Sequence, residues 1–429
     1  MLRRFYGGVA ALLVPLVWLR LHWRARREPL YGFAIGERFG RYREPHSGGW
    51  VWVHAVSLGE TRAAESLIDA LRERDPTLRL LLTNGTATGR AAGAALLREG
   101  DRQLWLPWDS PGATRRFFSH HRPRIGILME TEIWPNLLHS AAAFGVPMVL
   151  ANARLGERSL RRGARAPHLM RPAFASLALV LAQTDADAER LRSAGAPRVE
   201  TCGNLKFDMT PSAELLAKGR AWRDAIARRV VLASSTRDGE EAELLAAWCA
   251  QRGARPLLLI VPRHPQRFDA VAALVEAAGL RLARRSTWDG APPPDALAAD
   301  VWLGDSMGEL PLYYASAQVA LLGGSFAPLG GQNLIEAAAC GCPVLMGPHT
   351  FNFAQAAEMA EAAGAARRVA NLREAVALAC EPLAASAQRD AIARCLVFAA
   401  SHRGAAGRMA QRIGALLDQR APATRLRAG

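Results

Sequence analysis

Acid–base chemistry in this chain gathers at three points, each just past a short apolar run. In His54-Ala55-Val56-Ser57-Leu58-Gly59-Glu60, Glu60 falls at or just before a helix start. A carboxylate in such a loop can take a proton from an acceptor hydroxyl. It can equally be a first-turn charge favoured by the helix dipole, and spacing alone leaves the two even. In Met129-Glu130-Thr131-Glu132-Ile133-Trp134-Pro135-Asn136, the apolar strand RIGILM ends in two carboxylates before Pro135 opens a helix. Two acids beside a buried strand end are costly unless paired or used, which favours a functional role. In Gly203-Asn204-Leu205-Lys206-Phe207-Asp208, a lysine stands out, because the only lysines of the chain are Lys206 and Lys218. Its ammonium can neutralise a phosphate or a sugar carboxylate; the alternative is a surface pair with Asp208.

Val319–Phe353 carries a different signature. It opens as a buried strand, passes Gly323-Gly324 and Gly330-Gly331, and starts a helix at Asn333 with Glu336 in the first turn. Glycines let backbone N–H groups approach an oxyanion, and a helix N-terminus adds donors and a positive dipole end. Glu336 can accept the paired hydroxyls of a ribose. Other strand ends add Ala233–Arg237, Pro262-Arg263-His264-Pro265 and Gly304–Glu309 with Met307, Gly308 and Glu309. With Ser325 and Asn333-Leu334-Ile335-Glu336 they line one predicted edge, the layout of a donor-nucleotide pocket.

Strands and helices must alternate to place these loops together. Strands are predicted at 51–56, 78–83, 103–106, 125–129, 148–151 and 177–182, with helices such as 61–74, 135–144 and 185–193 between them. After a break near 208–213 the pattern restarts at 230–233, 256–261, 280–283, 301–304, 319–322 and 344–346. The alternation predicts parallel doubly wound sheets. The expected fold is α/β of the GT-B arrangement, two Rossmann-like domains (28–208 and 209–400) facing a central cleft, with ligands at the C-terminal strand ends. Residues 287–294 read as a surface loop, and 401–429 as a C-terminal helix and tail, frayed from Arg420.

A chain of 429 residues exceeds one core. Its net charge of +15 favours anionic partners. No aromatic-basic interleaving or DNA-binding motif supports a nucleic-acid partner. The six cysteines form no C-x-x-C pair and read as reduced core residues of a cytosolic protein. With no H-E-x-x-H and one close histidine pair, His120-His121, nothing argues for a protein-bound metal or cofactor. Residues 1–27 hold the apolar run Phe5–Leu19, flanked by Arg3, Arg4, Arg20, Arg24, Arg26 and Arg27. The run is short for a span, which needs about 20 residues. A hydrophobic anchor helix lying on an anionic membrane surface is expected; a single span and a buried helix are the alternatives.

The motifs HAVSLGE, METEIWPN, LANARLGERS, GNLKFD, VPRHPQRF, GDSMGELPLYY, GGSFAPLGGQNLIEAA and GPHTFNF, in order along the chain, are similar to those of bacterial 3-deoxy-D-manno-octulosonic acid (Kdo) transferases. The resemblance implies an inverting glycosyltransferase of the cytoplasmic face of the inner membrane. It would move Kdo from CMP-Kdo to the 6′-hydroxyl of a lipid A precursor. It makes Glu60 the general base, and Glu130 and Lys206 stabilisers of the transition state. Pro262, Arg263, Met307, Gly308, Glu309, Asn333, Leu334, Ile335 and Glu336 would bind CMP. The chain departs from the family at Gln332 and Arg237, where histidines are usual. The rival is another GT-B sugar-nucleotide transferase or an epimerase, which would share the second half without needing the N-terminal anchor or METEIWPN.

Overall fold

The structure, a computed structural model, describes residues 2–419. The chain divides into two compact units. One runs to Asp208 and takes in the chain again from Arg403; the other is Met209–His402.

The first unit is built on seven strands: β1 (Val51–His54), β2 (Leu80–Asn84), β3 (Arg102–Trp105), β4 (Ile125–Met129), β5 (Met148–Ala153), β6 (Leu179–Ala182) and β7 (Val199–Thr201). All pair in parallel, in the order β3-β2-β1-β4-β5-β6-β7. Helices cover both faces, so β1, β2 and β4 are buried at every residue and are apolar apart from His54 at the end of β1 and Thr83-Asn84 at the end of β2. One face packs Leu67, Ile68 and Leu71 of the helix Leu58–Arg74 with Met409 and Ile413 of the helix Ala405–Asp418. The last helix therefore completes the first unit, where the sequence set 401–429 apart. The expected frayed tail from Arg420 lies outside the described residues.

The second unit repeats the plan with β8 (Val230–Thr236), β9 (Leu257–Pro262), β10 (Leu282–Arg284), β11 (Val301–Leu303), β12 (Val319–Leu322), β13 (Val344–Met346) and β14 (Ala366–Arg368). The order is β10-β11-β9-β8-β12-β13-β14, again parallel. In each sheet the order reverses beside the first strand, between β1 and β4 and between β8 and β12. Outside the strand C-termini at such a point, chain diverges and leaves room for a ligand.

Two expectations need correction. The hydrophobic anchor helix is two helices, Leu2–Leu12 and Val14–Ala25, bent by 44°. Pro15 lacks an N–H and crowds the preceding turn, so it begins a new helix rather than continuing the old one. No single described helix is long and apolar enough to cross a membrane, although the bent pair passes together by length and composition. The surface loop at 287–294 contains Trp288, which is buried against Trp222 and Trp302, with its ring centroid 5.4 Å from that of Trp302.

Candidate active site

In the first unit, Glu60, Glu130 and Lys206 follow the C-terminal ends of β1, β4 and β7. Ser57 caps the helix Leu58–Arg74 and takes the Glu60 N–H. In return the Glu60 carboxylate accepts from the Val56 N–H at 2.9 Å and the Ser57 hydroxyl at 3.0 Å. This resembles a capping box, with the N–H of Val56, one residue before the cap, in place of the cap's own. The helix-start role and the site role thus fall on one side chain, and the capping fixes where its carboxylate sits. Burial raises the Glu60 pKa, and the nearby Glu130 charge adds to the rise against the two donated hydrogen bonds and Lys206. A carboxylate held this way is a better base near neutrality than an exposed one.

Glu130 has a left-handed backbone, φ 57°, in the turn that leaves β4. Its N–H donates to the Ala151 carbonyl at 3.0 Å, and its carboxylate lies 3.2 Å from the Lys206 ammonium. Lys206 is set by a chain of amides. Asn152, also left-handed at φ 52°, accepts from the Leu205 N–H, and its carbonyl accepts from Gln183. Gln183 accepts from Asn204, whose own side chain accepts the Lys206 N–H. Lys206 thus pairs with Glu130. Asp208 instead accepts from the backbone N–H groups of Gly404 and Ala406, at the start of the last helix.

Glu132, the second of the two carboxylates read from the sequence, joins this cluster, and the structure adds His54. Burial pushes the Glu132 pKa up to about 7, helped by the Glu60 and Glu130 charges against a 2.7 Å hydrogen bond from the Trp134 indole. His54 is fully buried, and burial lowers its pKa to about 4, so it is neutral. The Thr83 carbonyl, 3.0 Å from Nδ1, can only accept, so Nδ1 carries the proton. The His54 Nε2, 4.0 Å from Glu132, is therefore an acceptor without a partner among the described residues, and the two form no ion pair. The sequence signal for Glu132 was its place two residues after Glu130; His54, inside a strand, gave none.

In the second unit, the donor-site residues fall into three groups. Pro262 ends β9, buried, opposite a bulge in β8 where Ser235 has φ 54°. Exposed Arg263 follows, its N–H donating to the Thr236 carbonyl at 3.0 Å. After β11, Met307 is 71 % exposed and Gly308 is left-handed, φ 82°. Glu309 is held by Arg285 at 2.8 Å and by the Ser306 hydroxyl. Burial alone would raise its pKa, but these donors outweigh it and hold the carboxyl below its usual range. After β12, Asn333 caps the helix Leu334–Ala339 by accepting the Ile335 N–H at 3.1 Å. Leu334 and Ile335 bury their side chains in the core, which leaves only their backbone for a ligand; Glu336 stays partly open.

The glycine loop is more internally bonded than its composition suggests. A Cβ on Gly323 would lie 2.4 Å from the Ser235 carbonyl oxygen, so only glycine fits. Gly324 needs φ 71°, and its N–H donates to both oxygens of Glu240. Ser325, expected to line the edge, is buried and bridges the Leu322 carbonyl and the Gly347 N–H. The loop is therefore a preset cradle, and positive charge beside it comes from Arg237, which donates to His264 at 3.3 Å. Arg237 and Gln332 come together around Gly324: a Cβ there would sit 3.3 Å from the Gln332 amide nitrogen and 3.6 Å from the Arg237 Cγ. Among the described residues no group of His, Cys, Asp and Glu is arranged to hold a metal ion.

A family profile described as 3-deoxy-D-manno-octulosonic-acid transferase (kdotransferase) matches residues 34–209. The 3-deoxy-D-manno-octulosonic acid transferase of Bordetella pertussis is 51 % identical over 411 residues, 92 % of this chain and 95 % of that one. That of Haemophilus influenzae is 35 % identical over 365 residues, 82 % and 84 % of the two chains. Among solved structures, a glycosyltransferase from Rickettsia africae superposes with a TM-score of 0.58 at 10 % identity, over 87 % of this chain and all of that one, and so shares the fold. Identity of 51 % over 92 % of the chain means that it belongs to the Kdo transferase family of glycosyltransferases.

Proposed function

We propose that this protein transfers Kdo from CMP-Kdo to the 6′-hydroxyl of a lipid A precursor, with inversion, at the cytoplasmic face of the inner membrane. The observation that carries the mechanism is the Glu60 carboxylate, capped in place and raised in pKa beside the Glu130–Lys206 pair. Glu60 takes the proton of the acceptor hydroxyl as its oxygen attacks the anomeric carbon. CMP leaves with the bonding electrons from the opposite face. Charge builds up as in glycoside hydrolysis, with an oxocarbenium-like centre. Kdo brings a carboxylate of its own, which Lys206, partly shared with Glu130, is placed to balance. In the second unit the exposed Arg263, with Arg237, holds the leaving phosphate, and Glu336 receives the ribose hydroxyls. Met307, Gly308 and Glu309 shape the rest of the CMP site.

The membrane part of the proposal rests on the N-terminal helix pair. Its inner face is tied down by Tyr6 to Asp109 at 2.9 Å and by the Trp108 indole to the Ala10 carbonyl at 2.8 Å. Its outer face shows Phe5, Leu12, Leu16 and Leu19, all more than 60 % exposed, among arginines. An apolar face of that kind with a basic fringe suits an anionic bilayer surface.

The test is Kdo transfer from CMP-Kdo, generated in situ, to a tetraacylated lipid A precursor, with wild type beside Glu60→Ala. General-base catalysis is worth roughly 10²–10⁴-fold, so the variant should lose that much activity and still bind CMP. Transfer surviving in Glu60→Ala would move the base to Glu130 or Glu132. A folded, CMP-binding wild type that transfers no Kdo would overturn the reaction.

A further inference from the structure

We infer that the first unit carries a separate binding site for one fatty acyl chain of the acceptor, in a cavity beside the carboxylate cluster. This rests on the acceptor reading above. The cavity measures about 530 Å³. Packing voids in protein cores rarely exceed a water molecule, whereas ligand sites span roughly 300–1,000 Å³. Its walls are Leu150 and Leu155 at the end of β5, Leu160 of the helix Glu157–Gly163, Met170 and Phe174 of the helix Pro167–Ala175, and Leu191. These are hydrocarbon surfaces with little to hold a sugar or a base.

The rim has the opposite character. Arg154, Arg162 and Arg171 line it, all exposed. Among the described residues none of the three has a carboxylate within ion-pair reach, because the acids nearby in sequence are taken: Glu157 by Arg161 at 3.8 Å and Asp187 by Arg190 at 2.8 Å. An apolar pocket ringed by unneutralised guanidinium groups matches an acylated sugar phosphate, hydrocarbon inside and phosphate at the mouth.

The position of the cavity ties it to the chemistry. At one end it is lined by Thr131, the residue after Glu130, and the Arg154 N–H donates to the Glu130 carbonyl at 3.3 Å. A chain seated in the cavity would therefore leave its sugar at the Glu60–Glu130–Lys206 cluster. At the other side, the helix Pro167–Ala175 packs against Leu2–Leu12, the helix whose outer face exposes Phe5 and Leu12. Anchoring by an acyl chain would make the enzyme select acylated acceptors over the bare phosphorylated disaccharide.

The experiment uses the full chain on vesicles of phosphatidylethanolamine and phosphatidylglycerol. The probe is a tetraacylated glucosamine-disaccharide bisphosphate with a diazirine on one acyl chain, and labelled residues are mapped by mass spectrometry. The variant is Gly163→Phe: the nearest atom to a Cβ there is Met170 Cγ at 3.9 Å, so the ring enters the cavity without moving backbone. Wild type should label within residues 160–174. In Gly163→Phe that label should fall about tenfold and KM for the tetraacylated acceptor should rise about tenfold, the equivalent of leaving about two methylenes outside. KM for CMP-Kdo, and transfer to an acceptor with shortened chains, should not change. Met170→Trp on the facing wall carries the same expectation should Gly163→Phe not fold. Labels confined to residues 2–25, or full labelling and unchanged KM in a folded variant, would overturn the inference. So would a diazirine phosphatidylglycerol that labels the cavity as strongly as the acceptor does, since a bilayer lipid would then be the occupant. Cavity labelling without Kdo transfer would instead sink the reaction and leave the acyl site standing.

Discussion

Glu132 offers a test of the electrostatics that does not pass through catalysis. Its pKa is raised from 4.5 to about 7, with burial the main cause. At about 1.36 kcal/mol per pKa unit this corresponds to about 3.4 kcal/mol. The sign follows from linkage. The folded state disfavours the ionised form, so the stability associated with neutral Glu132 is fully present below pH 4.5 and is lost as pH rises through 7. Glutamine copies the protonated acid and does not titrate. Its oxygen can still accept from the Trp134 indole, and its amide can donate to the unpartnered His54 Nε2. Because the Glu132 side chain is 17 % exposed, water returns part of the gain, and about 2 kcal/mol is the working figure. Glu132→Gln should therefore melt at nearly the wild-type temperature at pH 4.5 and about 4–8 °C higher at pH 8, for a unit of this size. Thermal unfolding followed by tryptophan fluorescence across that range reads it directly. A difference independent of pH, or a less stable variant at pH 8, would refute a buried Glu132 with a raised pKa.

Lys206→Met removes the cation beside Glu130, and kcat should fall roughly 10²–10³-fold with little change in CMP affinity, checked by steady-state kinetics and calorimetry. Glu60 must be ionised to act, and its pKa lies above the usual 4.5. Activity should therefore be lost as pH falls through a value above 4.5, and an acid limb at or below 4.5 in kcat/KM would contradict the buried site. Trp288→Ala empties the contact with Trp222 and Trp302 and should cost about 3–5 kcal/mol in urea unfolding of the second unit; a loss under about 1 kcal/mol would show that the segment is a surface loop after all.

The sequence by itself determined the fold class. Strands buried on both faces must be apolar throughout, so β4, β12 and β13 were legible to the residue. The edge strands β7 (VET) and β14 (ARR) were not, since one apolar residue followed by two polar ones at a sheet margin makes no apolar run. The strand-end loops were legible too, because glycines, prolines and carboxylates mark where a parallel strand gives way to a helix. What those loops do to one another was decided only by tertiary structure. Whether Lys206 meets Asp208 or Glu130 depends on the Asn152–Gln183–Asn204 amide chain, whose members lie up to 52 residues apart. The Glu132 pKa depends on burial and on two further carboxylates, Glu60 and Glu130, brought to it from the ends of β1 and β4, and Arg237 and Gln332 meet around Gly324 only because β8 lies beside β12. Burial and charge act through space, and a parallel sheet brings side by side residues that the chain keeps far apart.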